Sequence, residues 1–219
     1  MSAGWGVLPK LTALQWLGVN PPDDAYDLSF VADCPSLISV FLHDCNALSD
    51  LSALTSASRL KSVGLGNGRH LRDLHSLTEL PNLKFLDIRN TPLADGLAAV
   101  TPILDRLEEL SVFSVPTATS LGALAGSSLQ EVDLADCPIA DLAPLATLQF
   151  LTRVCLRDFP TMNLAPLATL PNLRDLELDG IDEPVDLSPF AQIHHRLRVK
   201  LWNTYTVGAA GPLVKIRRR

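Results

Sequence analysis

The chain has 219 residues, 47% of them hydrophobic and 5% aromatic, and carries a formal net charge of −6. So large an apolar fraction supports a sizeable core and excludes a disordered chain, and the acidic balance argues against nucleic-acid or anionic-membrane binding. Nothing near Met1 reads as a secretory leader, and no apolar run reaches the roughly 18–20 residues of a membrane-crossing helix. Cys34, Cys45, Cys137 and Cys155 are scattered with no C-x-x-C pair, so reduced thiols in a cytoplasmic protein are expected.

In chain order, the first segment is "AGWGVLPK", with Trp5 and Leu8 apolar. "LTALQW" from Leu11 then introduces a pattern, L-x-x-L-x-L, that returns throughout the chain. It reads "LISVFL" from Leu37, "LKSVGL" from Leu60, "LKFLDI" from Leu83 and "LEELSV" from Leu107. It continues as "LQEVDL" from Leu129, "LTRVCL" from Leu151, "LRDLEL" from Leu173 and a degraded "RLRVKL" from Arg196. From Leu37 onward the spacings are 23, 23, 24, 22, 22, 22 and 23 residues, whereas the first is 26, with "NPPDDAYD" carrying the extra length. Two back halves, "DLAPLATLQF" at Asp141–Phe150 and "NLAPLATLPN" at Asn163–Asn172, are nearly identical. A fixed period of this kind is the signature of stacked structural repeats.

Each copy has the same physical parts. In "LQEVDLADCPIADLAPLATLQF", Val132 and Leu134 alternate with Asp133, the period of a short strand with one buried face, and Leu129 enters the same core. Asp141 stands where a helix cap belongs, as do Asp27, Asp50, Asp73, Asp95, Ser120, Asn163 and Asp186 elsewhere. Pro144 and Pro166 suit a first helical turn, and Leu142, Leu145 and Leu148 point inward. No single copy can bury its own leucines, so neighbours must stack, with strands about 4.8 Å apart.

The pattern resembles the leucine-rich-repeat family, in its short 22-residue bacterial and phosphatase-regulator-like class, over Trp5 to Asn203. The family's frequent asparagine at the ninth position is replaced here by Cys45, Gly68, Thr91, Val115, Cys137, Phe159 and Ile181. The resemblance implies an α/β fold, a curved right-handed solenoid of about eight or nine repeats. A parallel sheet would line its concave side and short helices or 3-10 turns its convex side. Residues 1–203 would form the repeat domain and 204–219 a C-terminal cap with a basic tail.

Between the strand leucines, other side chains stack into columns on the concave face. The middle column reads Phe41, Gly64, Asp87, Ser111, Asp133, Cys155, Glu177, Lys200. One flank reads Ser39, Ser62, Phe85, Glu109, Glu131, Arg153, Asp175, Arg198, and the other His43, Gly66, Arg89, Phe113, Ala135, Arg157, Asp179, Trp202. The alternation Glu131–Arg153–Asp175–Arg198 reads as exposed ion pairs, each worth about 0–1 kcal/mol. The aromatic residues Phe41, Phe85, Phe113 and Trp202 read as anchors for a protein ligand. The candidate protein-binding residues are therefore Phe41, His43, Phe85, Asp87, Arg89, Phe113, Asp133, Arg153, Arg157, Glu177 and Trp202.

Catalytic patterns are weak. Asp133 and Glu177 lack a pocket for acid–base work. Cys155 is expected on the exposed face, where Arg153 and Arg157 would lower its pKa, but no histidine stands beside it. Cys34, Cys45 and Cys137 read as core residues. His194–His195, His70 and His75 lack zinc spacing. "GLGNGRH" at Gly64–His70 lacks a P-loop lysine and is expected to leave a bare spot on the concave face.

The leading expectation is a non-enzymatic recognition module, with no cofactor or metal, that binds a protein ligand or other domains of its own polypeptide. No nucleic-acid or membrane partner is expected, and oligomers only within a larger assembly. The resemblance further suggests the C-terminal sensor or autoinhibitory part of a bacterial NACHT- or STAND-type protein in anti-phage defence. The alternatives are a scaffold or regulatory subunit of an enzyme such as a phosphatase and, remotely, a cysteine-dependent enzyme.

Overall fold

A computed structural model describes residues 12–20, 28–46, 48–160 and 162–218. Expectations for Trp5, Leu8, Leu11 and Asp27 lie outside them. The strands are β1 (Trp16–Val19), β2 (Ser39–Leu42), β3 (Ser62–Gly66), β4 (Phe85–Arg89), β5 (Glu109–Phe113), β6 (Glu131–Ala135), β7 (Arg153–Arg157), β8 (Asp175–Asp179), β9 (Val185–Asp186), β10 (Leu197–Trp202), β11 (Thr206–Val207) and β12 (Val214–Arg218). Ten of them form one sheet in the order β1-β2-β3-β4-β5-β6-β7-β8-β10-β12, and β9 pairs with β11 separately. Every pair is parallel. Chain order equals sheet order along β1–β8 because each repeat adds one strand and returns over the back of the sheet.

The register reproduces the columns read from the leucine spacing from β2 through β10. Phe41 lies beside Gly64, then Asp87, Ser111, Asp133, Cys155, Glu177 and Lys200. The first repeat differs. Trp16 pairs with Ser39 and Leu17 with Val40, so that copy is "LQWLGV" from Leu14, 23 residues before Leu37. "NPPDDAYD" therefore carries no extra length, and Trp16 leaves the core position for the outer face, where it is 63% exposed. Leu17 fills the core position instead. At the far end β12 follows β10 in a shortened register, with Val214 beside Leu197.

The leucines of each repeat form one continuous core, and Leu129, Val132, Leu134, Leu142, Leu145 and Leu148 are all buried within it. Full burial of such a side chain contributes roughly 1.5–3 kcal/mol. The ninth-position residues Cys45, Gly68, Thr91, Val115, Cys137, Phe159 and Ile181 are buried as well.

The backs of most repeats are 3-10 turns, such as Ser52–Ser56, His75–Glu79 and Ala143–Thr147, with one short α-helix, α1 (Ala165–Ala168). A 3-10 turn rises about 2.0 Å per residue against about 1.5 Å for an α-helix, so it spans the back of a short repeat with fewer residues. The expected caps sit one residue earlier than a helix cap, before Leu51, Leu74, Leu121, Leu142, Leu164 and Leu187. They still accept a backbone N–H two residues on: Asp50 from Ser52 (2.9 Å), Asp73 from His75 (3.0 Å), Ser120 from Gly122 (3.1 Å), Asp141 from Ala143 (2.8 Å), Asn163 from Ala165 (3.0 Å) and Asp186 from Ser188 (2.8 Å). Asp95 differs, because its side chain caps nothing and its carbonyl accepts from Ala98.

A polar ladder runs one position before the buried ninth one. Asn67, Asn90, Ser114, Asp136, Asp158 and Asn203 adopt positive φ just after their strands, from +43° to +57°. Asparagine and aspartate tolerate this conformation better than other residues with a Cβ. Asn67 N–H donates to the Arg89 carbonyl (2.9 Å), Asn90 to Phe113 (2.8 Å) and Asp136 to Arg157 (3.1 Å), tying each turn to the next repeat. Asn90 Nδ2 also donates to Asn67 Oδ1 at 2.7 Å, and Ser114 Oγ to Asp136 Oδ2 at 2.9 Å.

Candidate functional site

The outward side chains of β1–β10 divide into two linked groups and a cleft. The first group is a run of rings and guanidinium groups. Phe41 and His43 pack with ring centroids 4.5 Å apart. The Arg89 guanidinium sits 5.3 Å from the Phe41 ring and 4.6 Å from the Phe113 ring, and Arg157 sits 5.5 Å from Phe113 on its other flank. Arg89 crosses to Phe41 because the strand between them, β3, has glycine at the two outward positions in line with them, Gly64 and Gly66; Ala135 similarly leaves room between Phe113 and Arg157.

Each arginine is also paired with a carboxylate. Arg89 donates from Nε and Nη2 to the two oxygens of Asp87 at 2.8 and 2.7 Å, which holds its pKa above the usual arginine value. Arg157 meets Asp133 at 3.0 Å. Burial nonetheless pushes the Asp133 carboxyl up, against the opposing pull of Arg157.

Gly64 is not a bare spot. A Cβ there would fall 2.0 Å from Phe41 Cδ2, because the ring occupies the space over the glycine. Trp16 does the same over Gly18, where a Cβ would meet its Cη2 at 2.8 Å.

The second group is ionic. Arg153 meets Glu131 at 3.3 Å and Glu177 at 3.7 Å, Lys200 meets Glu177 at 3.1 Å, and Arg198 meets Asp175 at 2.7 Å. The expected alternation Glu131–Arg153–Asp175–Arg198 holds in register, but the second contact of Arg153 crosses diagonally to Glu177 rather than running straight to Asp175.

Cys155 corrects the sequence expectation outright. It is 1% exposed, and burial, reinforced by Asp133, pushes its thiol up to about 12. It lies in register between Asp133, with which it hydrogen-bonds, and Glu177, and these carboxylates pair in turn with Arg157 and Arg153. A thiol so held is no nucleophile at neutral pH. Burial likewise pushes Cys45 up to about 11.

The cleft occupies about 260 Å3 and is lined by Trp16, Ser39, Phe41, Ser62, Phe85 and Glu109, among others. Phe85 is 38% exposed at its wall. Trp16 is the residue sequence reasoning missed; the 23-residue spacing of the next two copies would have found it. Of the other sequence candidates, Trp202 lies at the end of β10, in register with Asp179. Among the described residues no cluster of three His, Cys, Asp or Glu could hold a metal ion, and no helix is long and apolar enough to cross a membrane.

The sequence matches no known family profile and no curated protein. Solved structures do match the fold. An internalin, inlF, of Listeria monocytogenes aligns with a TM-score of 0.62 and 21% identity over 95% of this chain and 57% of its own. Internalin C2 of the same organism aligns with a TM-score of 0.46 and 24% identity over 92% and 74%. A leucine-rich-repeat protein of Leptospira interrogans gives 0.49 and 20% over 80% and 51%. This chain thus spans little more than half the length of inlF. With a parallel sheet built one strand per repeat and 3-10 turns at its back, the chain folds as a leucine-rich-repeat solenoid.

Proposed function

We propose that this solenoid is a recognition module that holds a protein partner on its concave face, without chemistry of its own. The observation that carries this reading is the placing of Trp16 and Phe85, large aromatic side chains left exposed on a face where most charged groups pair with one another. Exposed aromatic anchors amid polar neighbours are a hallmark of interface hot spots. Phe41, His43, Asp87, Arg89, Phe113, Asp133, Arg153, Arg157, Glu177 and Trp202 then form the surrounding surface. Their internal pairing presents a rigid face that pays little ordering entropy on binding.

The test is photo-crosslinking with benzoylphenylalanine at position 85 and, in the exposed turn that precedes β7, at position 150, in the source cells. Capture of one discrete protein from position 85 alone, lost on Trp16→Ala, is the expected result. Equal capture from both positions, or none from position 85, defeats the concave-face assignment.

Within this reading, the partner is either a separate protein or another domain of the same polypeptide. The repeat resemblance supports a sensor or autoinhibitory role in a larger NACHT- or STAND-type signalling protein. Reading the flanking gene tests this, and the absence of any encoded nucleotide-binding domain in the same reading frame sinks it. Residues 204–219 then close the C-terminal end, with β12 covering the edge of β10 and exposing Lys215, Arg217 and Arg218.

A further inference from the structure

Six carboxylates project from the middle column and its acidic flank, and five of them meet a cation. Asp87 has Arg89, Glu131 has Arg153, Asp133 has Arg157, Asp175 has Arg198 and Glu177 has Lys200. Glu109 is the exception: among the described residues its carboxylate makes no ion pair. It lies in register between Phe85 and Glu131, so one neighbour is a ring and the other a like charge. Partial burial and that like charge both push its carboxyl above the ordinary glutamate value, outweighing the opposing pull of Arg153.

Glu109 and Asp87 both line the aromatic cleft, and of the two Asp87 is already held by Arg89. Trp16, Phe41 and Phe85 supply ring surfaces, and Ser39, Ser62 and Ser111 supply hydroxyl groups on the same lining. Rings attract a cation to their faces, and an adjacent carboxylate fixes its position. At about 260 Å3 the cleft falls below the roughly 300–1,000 Å3 usual for small-molecule sites. That size suits one inserted side chain. Arg89 cannot turn into this role, since Asp87 holds it by two bonds and Phe113 flanks it.

We propose that the cleft between Trp16, Phe85 and Glu109 receives a lysine or arginine side chain of the protein bound on the concave face. This rests on the recognition reading above and adds its chemistry. The incoming cation supplies the partner that Glu109 lacks, relieves its repulsion from Glu131 and stacks on the exposed rings. The partner's contacting segment is therefore basic at this point.

The test titrates the whole chain with Nα-acetyl-arginine amide and Nα-acetyl-lysine amide, and with the neutral isostere Nα-acetyl-citrulline amide, followed by two-dimensional NMR. The cationic probes are expected to shift the Trp16 indole and the Phe85 and Glu109 amides saturably, in the millimolar range. Citrulline, or Glu109→Gln with either cation, is expected to weaken binding at least about tenfold, the discrimination of 1.4 kcal/mol. Affinity also falls as pH drops and Glu109 takes up its proton. Glu109→Gln is near-isosteric, and an unchanged melting curve confirms that its fold is intact; Glu109→Asp is expected to retain part of the affinity.

Equal binding of citrulline, undiminished binding by Glu109→Gln, or shifts centred on Glu177 instead would overturn the proposal. Tighter binding of choline than of either probe would assign the cleft to a small quaternary amine and overturn it too. The probes need no protein partner, so the two readings fail separately. Probe binding without crosslinking at position 85 removes the recognition reading alone. A captured partner whose affinity ignores Glu109→Gln removes only the lysine or arginine pocket.

Discussion

Arg89 lies between two phenyl rings, 4.6 Å from Phe113 and 5.3 Å from Phe41, while both oxygens of Asp87 hold its fork. Ring stacking and a bidentate ion pair together give one side chain a single position over three strands. A cation–π contact at an exposed site is worth about 0.5–1 kcal/mol. A double-mutant cycle between Arg89→Ala and Phe113→Leu, read by urea denaturation, should return a coupling of that size. Arg89→Lys should not restore it, because an ammonium lacks the planar fork. Strict additivity would show that the stack contributes nothing.

Gly64 is required by the ring above it. Gly64→Ala puts a Cβ where Phe41 Cδ2 lies, and displacing a packed ring costs typically 1–3 kcal/mol. Removing the ring by Phe41→Ala in the same chain should recover most of that loss, since the clash then has no second partner. If Phe41→Ala and Gly64→Ala simply add in thermal melts, the ring does not lie over the glycine.

Cys155 should be inert. With the thiol buried and its pKa pushed up to about 12, native protein at pH 8 should leave it unlabelled by a disulfide reagent, and denatured protein should react at once. Mass spectrometry of the tryptic peptides reads the outcome directly. Rapid native labelling at Cys155 would mean that the thiol is not buried on this face.

Glu109 makes stability depend on pH with a defined sign. Its folded pKa is raised above the unfolded value, so the folded chain holds its proton more firmly. That contribution is complete below the ordinary glutamate value of 4.5 and is lost as pH rises through the folded pKa. Glu109→Gln should therefore flatten the fall in stability just above pH 4.5 and leave the chain slightly more stable at pH 7. A variant whose pH profile superimposes on the parent would remove the burial and repulsion argument.

The leucine spacing contained most of the fold. From Leu37 to Arg196 it placed the strand leucines in the core, and it predicted which side chains would stand in line across β2–β10. It did so because strand alternation and one-strand-per-repeat stacking are both strict periodicities, visible in a single chain. The first copy was misread because "LTALQW" and "LQWLGV" overlap by three residues, and only pairing with β2 shows that Leu17 is inside and Trp16 outside.

Periodicity says which side of the sheet a residue faces, and nothing about how it lies there. Cys155 faces outward by sequence, yet it is buried between the carboxylates of β6 and β8, which the arginines of its own strand reach. Phe41 and Phe113 face outward too, but neighbouring glycine and alanine let Arg89 and Arg157 fold against them. Glu109 reads like any other acidic residue of its column until every neighbouring carboxylate is matched to its cation. The sequence alone thus determined the solenoid and its columns. Which outward groups satisfy one another, and which are left for a partner, is a matter of side-chain reach across strands, and only the tertiary structure decided it.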